Sequence, residues 1–588
     1  MPPPVGRFLT PPTRYDDCPG KPEAQLQYPI CHPEQAKRVE GSSHLRDICS
    51  QFGAKILRLP PKIFDFLQSL RMTNFGAVFF CVCGKNIRCE RIYFDTSGKL
   101  WYHGLQKALP NKFWFESSKP ERTDIMLDKK TMSELIAIVL HGGADFAEVY
   151  AEYSKDNRIS YADKKIETVA NKIISGVGIR GFLGTRTFFA STTDLTPSGL
   201  RQCAQRVAQA VGHPVDRIAD FHLVERINTN IHPIAVNPFD VKAQVRADLL
   251  RAGSAAAEEA DDQIIQVNGT LLTADKSFTV ANSEGLYTSD RQIRTRMMIT
   301  AIGSDGSRNE QGIASPGRQM GLEFFDIDRF APEKIGAEAA RQALVNLKAV
   351  PCPSGQMTVA IASGFGGVIF HEACGHSLEA ACVGIGMSQM CGKLGTQVAG
   401  PKVTAVDDGT LVNGWGSCNI DDEGNPNRRR VLIENGILKS YMIDRLGERR
   451  MGLPHTASAR RQSYAFETTS RMTNTFIENG PDTNEEIIAS IEDGIFCASM
   501  GGGSVNPFTG DFNFTAREAY RVRNGKVCEP VRGAALIGNG GDVIQKIDMV
   551  GQDLDTAQGN CGASSGMIPA DVGQPMIRVS SITVGGQA

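Results

Sequence analysis

The chain changes character at about Met126. No helical or strand period is sustained before about residue 60, whereas from Met126 onward strand-like alternation, helix caps and Gly-marked turns recur at short intervals. Folded domains must therefore be drawn mainly from the last ~460 residues of a 588-residue chain, whose length implies roughly three to five structural units. Charge divides at the same place. Residues 1–125 carry 18 Lys+Arg against 12 Asp+Glu and the remainder 45 against 53, so the two parts stand at +6 and −8. The first segment also holds six of the 15 cysteines and two of the three tryptophans. It reads as a poorly structured extension foreign to the rest, with Met126 the candidate true start. A small zinc or redox module on Cys81, Cys83 and Cys89 is the other reading, and the spacing argues against it because zinc knuckles use CxxC-type pairs with a second pair downstream.

The near balance of 63 basic and 65 acidic residues does not indicate a polyanion-binding protein, and 41% hydrophobic with 22% charged residues is wrong for a disordered one. The longest nearly apolar run, Thr358 to Phe370, has 13 residues and contains three Gly, short of the ~18–20 a membrane span needs. The first twenty residues hold six Pro and no apolar h-region, so a secretory signal is not expected. An odd number of scattered cysteines suits reduced thiols, and a cytoplasmic location follows as the expectation.

Residues 126–350 read as an α/β domain of antiparallel strands with flanking helices. An amphipathic run from Met132 to Leu140 comes first, then strands at Ala147–Tyr153 and Ile173–Leu183. Thr196-Pro197 caps a helix that Gly212 stops, with Cys203 on its apolar face. A second helix is expected over 237–260, strands near Ser277–Val280 and Arg291–Ile302, and a third helix from Pro332 to about Lys348. The Pro-Cys-Pro-Ser-Gly stretch at 351–355 marks a boundary. Residues 351–588 read as a mainly antiparallel β domain, barrel- or sandwich-like, because Asn435-Gly436 and Asn524-Gly525 are strong hairpin signals. Two helices interrupt it, at about 371–386 and 483–493. The expected class is α+β.

Ten histidines occur, and two of them lie five apart in His371-Glu-Ala-Cys-Gly-His376. In HExxH zinc helices the separation is four, which places both rings on one face. Five residues of α-helix turn through roughly 500°, leaving the rings about 140° apart. A π-bulge would realign them, as would a helix that begins just after His371. The plain alternative is a pair of satisfied interior histidines with a solvated Glu372. A catalytic zinc also wants a third protein ligand. Cys561, in the glycine-flanked Gly559-Asn-Cys-Gly562, could present a thiolate, while Cys497 and Cys528 suit buried structural roles.

From about Met126 to the carboxyl terminus the chain resembles the TldD side of the TldD/PmbA (TldD/TldE) metalloprotease family. The resemblance is carried by His371-Glu-Ala-Cys-Gly-His376 followed by Ser-Leu-Glu-Ala380, and by Thr469-Ser-Arg-Met-Thr-Asn-Thr475 and Ser499-Met-Gly-Gly-Gly-Ser-Val-Asn-Pro507. Thr509-Gly-Asp-Phe512, Gly533-Ala-Ala-Leu-Ile-Gly-Asn539 and Val572-Gly-Gln-Pro575 follow in the same order. It implies a Zn2+ peptidase with His371, His376 and Cys561 as ligands, Glu372 as catalytic base, and a homologous non-catalytic TldE/PmbA-type subunit completing a heterodimer. The chain departs from the family after the cysteine, where Cys561-Gly-Ala-Ser-Ser-Gly566 replaces a CGKxGQ-like turn. The usual Lys and Gln contacts are therefore not carried over.

Glu372 is then expected to take a proton from zinc-activated water and return it to the leaving amine. Peptides would be held in extended form through their backbones, which favours unfolded or modified substrates. Gly501, Gly502 and Gly503 could form a close-approach rail or a tight turn, and Arg471 and Asn474 could bind peptide or anchor a loop. Two rivals remain. One is a serine hydrolase on Gly562-Ala-Ser-Ser-Gly566, disfavoured because Pro569 denies Ser564 the helix that a nucleophile elbow needs. The other is a non-enzymatic peptide-binding subunit with a decayed metal site.

Overall fold

The computed structural model describes residues 127–506 and 508–586, together with the backbone of four short strands, Val82–Cys83, Asn86–Ile87, Ile92–Phe94 and Leu100–Tyr102. The chain divides into two units, Met1–Pro120 and Glu121–Ala588. In the first, the short strands pair as two antiparallel hairpins. The side chains of Cys81, Cys83 and Cys89, with the zinc or redox reading they carried, lie outside the described residues.

The second unit begins with a long antiparallel sheet. Its spatial order is Asn309–Ala314, Leu286–Ser304, Ile264–Asn282, Phe146–Ala162, Lys165–Leu183 and Arg186–Thr192. Strand alternation sorts its two faces. Ala147, Val149 and Ala151 join the core beneath the helices Lys129–His141 and Pro197–Val211. Ile159 and Tyr161, of the same parity, join the core beneath Ala243–Glu258 and Pro332–Leu347. The intervening parity, Glu148, Tyr150 and Glu152, is buried on the other face, where Tyr150, Phe278 and Val280 pack with Ile420.

Local signals place most of these elements. Thr196 accepts the amide proton of Gly199 and Gly212 closes the helix at φ 72°. The helix expected from residue 237 starts at Ala243, because Asn237 spends its side-chain oxygen on the Phe239 amide in a turn. The strands are longer than their sequence signals: Phe146–Ala162 and Ile264–Asn282 pair along most of their length, and ladder hydrogen bonds carry the extended form through polar stretches.

The carboxyl-terminal half holds two more sheets. In one, Asp511–Arg523, Asp493–Val505, Gly355–Ile361, Ile577–Gly585 and Ala535–Asn539 pair in sequence, and Ala535–Asn539 returns to Asp511–Arg523, closing a five-stranded barrel. Closure removes free edges. The other runs Ile437–Leu438, Arg429–Glu434, Ala405–Asp408, Asn474–Ile477, Gly566–Gln574 and Asp555–Ala563. Asn435-Gly436 and Asn524-Gly525 form the two hairpin turns, all four residues at positive φ. The helix near residue 483 is Asn484–Ala489, capped by Thr483 and Glu486 reciprocally; Asp482 instead holds Lys402 and the Val550 amide. Among the described residues no helix is long and apolar enough to cross a membrane.

Candidate metal centre

The histidine run is not an ordinary helix. One α-turn, Val368–Phe370, leads into a π-turn, His371–Gly375, and then a 3-10 turn, His376–Leu378. The His376 amide donates to the His371 carbonyl, so the i to i+5 bond that defines the π-turn joins the two histidines themselves. Of the two ways to align rings five apart, the chain uses the wider turn. Close packing explains why it holds: a Cβ on Gly375 would stand 2.4 Å from the Met472 sulfur, and one on Gly367 2.4 Å from the Gly573 backbone. The helix expected to continue to about 386 ends early. Glu379 is extended, the Ala380 amide turns to the Met442 carbonyl, and only Ala380–Val383 is helical again.

Cys561 comes from an edge strand, Asp555–Ala563, opposite Ile568, and not from a turn; the turn of that hairpin lies at Ser564-Ser565. Its Sγ is 3.2 Å from His371 Nε2 and 3.2 Å from His376 Nε2. The three donor atoms all lie within 4.8 Å of one another, the one such trio among the described residues. Tetrahedral ligands at Zn–N of ~2.0–2.1 Å and Zn–S of ~2.3 Å stand about 3.3–3.6 Å apart, so this donor set fits zinc with little movement. Burial pushes the Cys561 thiol up, but the His371 and His376 rings outweigh it and hold the group well below the usual thiol range, toward the ligating thiolate.

Residues around the trio set its geometry. Glu379 Oε1 stands 3.1 Å from His376 Nδ1, which leaves Nε2 to face the centre. Burial alone would lower the His376 pKa, yet Glu379 and Cys561 raise it well above the ordinary value. His371 Nδ1, by contrast, has no hydrogen-bond partner among the described residues. Glu372 Oε2 lies 3.5 Å from His376 Nε2, with 22% of its side chain exposed. It is thus beside the donors and partly exposed.

Arg471 and Asn474 are fully buried, which corrects the expectation that either meets a peptide. Arg471 Nη1 donates to Ser565 Oγ at 3.0 Å and to the Gly566 carbonyl at 3.2 Å, while Nε lies 3.7 Å from Glu379. It therefore ties the Cys561 hairpin to the carboxylate behind His376. Asn474 donates to Ser417 Oγ at 2.7 Å and accepts from the Gly416 amide at 3.0 Å. Gly501, Gly502 and Gly503 form no tight turn. They lie in strand Asp493–Val505, where the pairing register slips repeatedly between Cys497 and Gly503. Glu379 and Arg471 were legible only as letters in longer motifs, since nothing local shows which side chain will lie behind a ligand.

With the geometry in hand, three comparisons agree. The PmbA/TldA metallopeptidase family matches in three consecutive parts, domain 1 over residues 147–211, the central domain over 236–347 and the carboxyl-terminal domain over 354–586. The chain belongs to this family. A metalloprotease TldD homolog of Haemophilus influenzae is 35% identical over 78% of this chain and 97% of its own length. A zinc metalloprotease TldD homolog of Saccharolobus solfataricus is 26% identical over 76% and 97%. The crystal structure of TldE from Thermococcus kodakarensis shares the fold, with a TM-score of 0.62 at 20% identity over 78% of this chain and all of that one. Membership makes the chain a metallopeptidase by kinship, and the buried trio is the group among the described residues that could hold a metal.

Proposed function

We propose that the protein is a zinc peptidase, with His371, His376 and Cys561 holding the ion and Glu372 acting as general base. The observation that carries this reading is the meeting of two Nε2 atoms and one Sγ with a half-open carboxylate beside them. Zinc held there supplies Lewis acidity that makes hydroxide accessible near neutral pH. Glu372 accepts the proton of the attacking water and passes it to the departing amine, a role that requires a side chain both near the ligands and reachable by substrate. Glu379 keeps His376 in the tautomer whose Nε2 lone pair points inward.

The substrate class is an extended peptide, unfolded or modified. Support comes from Gly501–Gly503, where a Cβ at Gly502 would meet nothing within 4 Å, so a second backbone can come close. Kinship to TldD relatives and likeness to a TldE structure support assembly with a homologous subunit that lacks the histidine motif. The deciding experiment is metal analysis with peptide turnover on the wild type, Glu372→Ala and Cys561→Ala. Glu372→Ala is expected to keep zinc and lose cleavage, and Cys561→Ala to lose both. Peptide binding that is equal in all three, with no turnover in any, would leave only the non-enzymatic reading.

A further inference from the structure

Two arginines near the metal centre have neither a carboxylate, as most of the other buried arginines do, nor the set of backbone and amide oxygens that takes up the buried Arg294. Arg180 and Arg461 sit on Glu148, Arg430 on Asp407, and Arg471 near Glu379. Among the described residues, neither Arg296 nor Arg517 has an acidic group within ion-pair distance. Arg296 Nη2 donates only to Ser315 Oγ at 3.2 Å, and its Nε is buried without a partner. The half-buried guanidinium of Arg517 makes no hydrogen bond among them and rests over the Phe365 ring at 5.9 Å. Burial and then the charge of Arg517 lower the Arg296 pKa, and the buried Asp571 offsets part of that.

Their aromatic supports lead to the metal centre. Trp415, beneath Arg296 at 5.8 Å, donates its indole N–H to the Gly559 carbonyl at 2.8 Å. Phe365, beneath Arg517, lies 3.8 Å from where a Cβ of Gly559 would be. Gly559 is two residues from Cys561 on one strand, so it shares the face that carries the sulfur. Phe365 also lies in the 3-10 turn, Gly364–Gly367, that runs into the histidine helix. On the far side, a Cβ on Gly501 would stand 3.4 Å from Arg517 Cγ, placing the arginine stem under the glycine stretch. Two like charges resting on aromatic faces, with no acid in ion-pair contact with either among the described residues, are complementary to an anion.

We infer that Arg296 and Arg517 bind a carboxylate of the peptide substrate and make the enzyme selective for peptides that carry one near the cleaved bond. This deepens the peptidase reading and rests on it. A carboxylate has two sources, the free carboxyl terminus or an acidic side chain, and both present the planar pair of oxygens that guanidinium groups match.

The test measures binding on full-length, zinc-loaded Glu372→Ala, combined with the homologous subunit if turnover requires it. This protein holds substrate without consuming it, and the same peptides are run for turnover on wild type. Four matched peptides are used: free-acid or amidated at the carboxyl terminus, and with Glu or Gln inside. At least one carboxylate-to-amide change is expected to weaken binding about tenfold, and the change that does so identifies the source. Arg517→Gln and Arg296→Gln, each in the Glu372→Ala background, should erase that difference, and Arg517→Lys should keep part of it. Equal affinity for all four peptides overturns the inference, and it does so without any arginine variant, should those fail to fold. Carboxylate-selective binding with no turnover by wild type on any peptide would instead overturn the peptidase reading.

Discussion

Arg180 and His371 are both almost fully buried, 1% and 3% exposed, and they differ in what their polar atoms find. Arg180 bridges two carboxylates, Glu148 at 3.0 Å and Glu423 at 2.7 Å, and Arg461 takes the other oxygen of Glu148 at 2.7 Å. The cluster balances its own charge and joins the long sheet to the segment around residues 420–461. Burial works against the Glu148 charge, yet Arg180 and Arg461 hold its carboxyl below the ordinary value. The histidine cluster brings two ring nitrogens and one sulfur to one spot instead. Buried polar groups that satisfy one another hold parts together, whereas three donor atoms within 4.8 Å of one another are a set that could hold an ion.

Four measurements press on that contrast. His371→Ala should remove zinc and reduce peptide turnover at least about 10³-fold, roughly 4 kcal/mol of transition-state stabilisation, read by metal analysis and kinetics. Full turnover in that variant would dissolve the distinction between the clusters. Arg180→Ala should do the reverse. By leaving Glu148 and Glu423 short of a partner it should lower stability by about 3–5 kcal/mol in denaturant titration, while zinc per folded chain stays constant. Glu379→Gln, which keeps shape but weakens the hold on His376 Nδ1, should reduce metal affinity or turnover about 10–100-fold without a comparable loss in stability.

The smallest effect concerns pH. Burial, and then the charge of Glu423, raise Asp444 from 3.8 to about 7, and Asp421 behaves likewise. The folded chain therefore holds protons that the unfolded chain has released. The resulting stability is complete below about pH 4 and is lost as pH rises through about 7. Asp444→Asn retains an acceptor for the Gly447 amide and removes the repulsion. Its stability gain over wild type should grow from near zero at about pH 4 to at least about 1 kcal/mol at about pH 8. A gain independent of pH would show that Asp444 stays ionised throughout.

Much of the scaffold was legible because its causes are local. A hydroxyl followed by proline starts a helix at Pro197, and Asn-Gly turns a chain at 435 and 524, since these residues satisfy orphan amides or accept positive φ where they stand. The helix expected after residue 371 fared worse. Its end is decided by the Met442 carbonyl, 62 positions later, which takes the Ala380 amide. Of the two roles open to Arg471 and Asn474, binding a peptide or anchoring a loop, burial leaves the second, and the choice was hidden for a related reason. Motif letters say that a residue is constrained, and only its neighbours say whether it faces a substrate or the interior.

Residue order alone determined the five-residue step between the imidazoles, the glycine that lets the backbone deform there, and the strand and turn vocabulary around it. Covalent neighbours and local dihedrals decide such matters. Tertiary structure decided that the step is taken by a π-turn, that Cys561 arrives from 185 and 190 residues away, and that Glu379 and Arg471 stand behind the ligands. Those contacts depend on how sheets pair and pack over long separations, which no short window of the chain encodes.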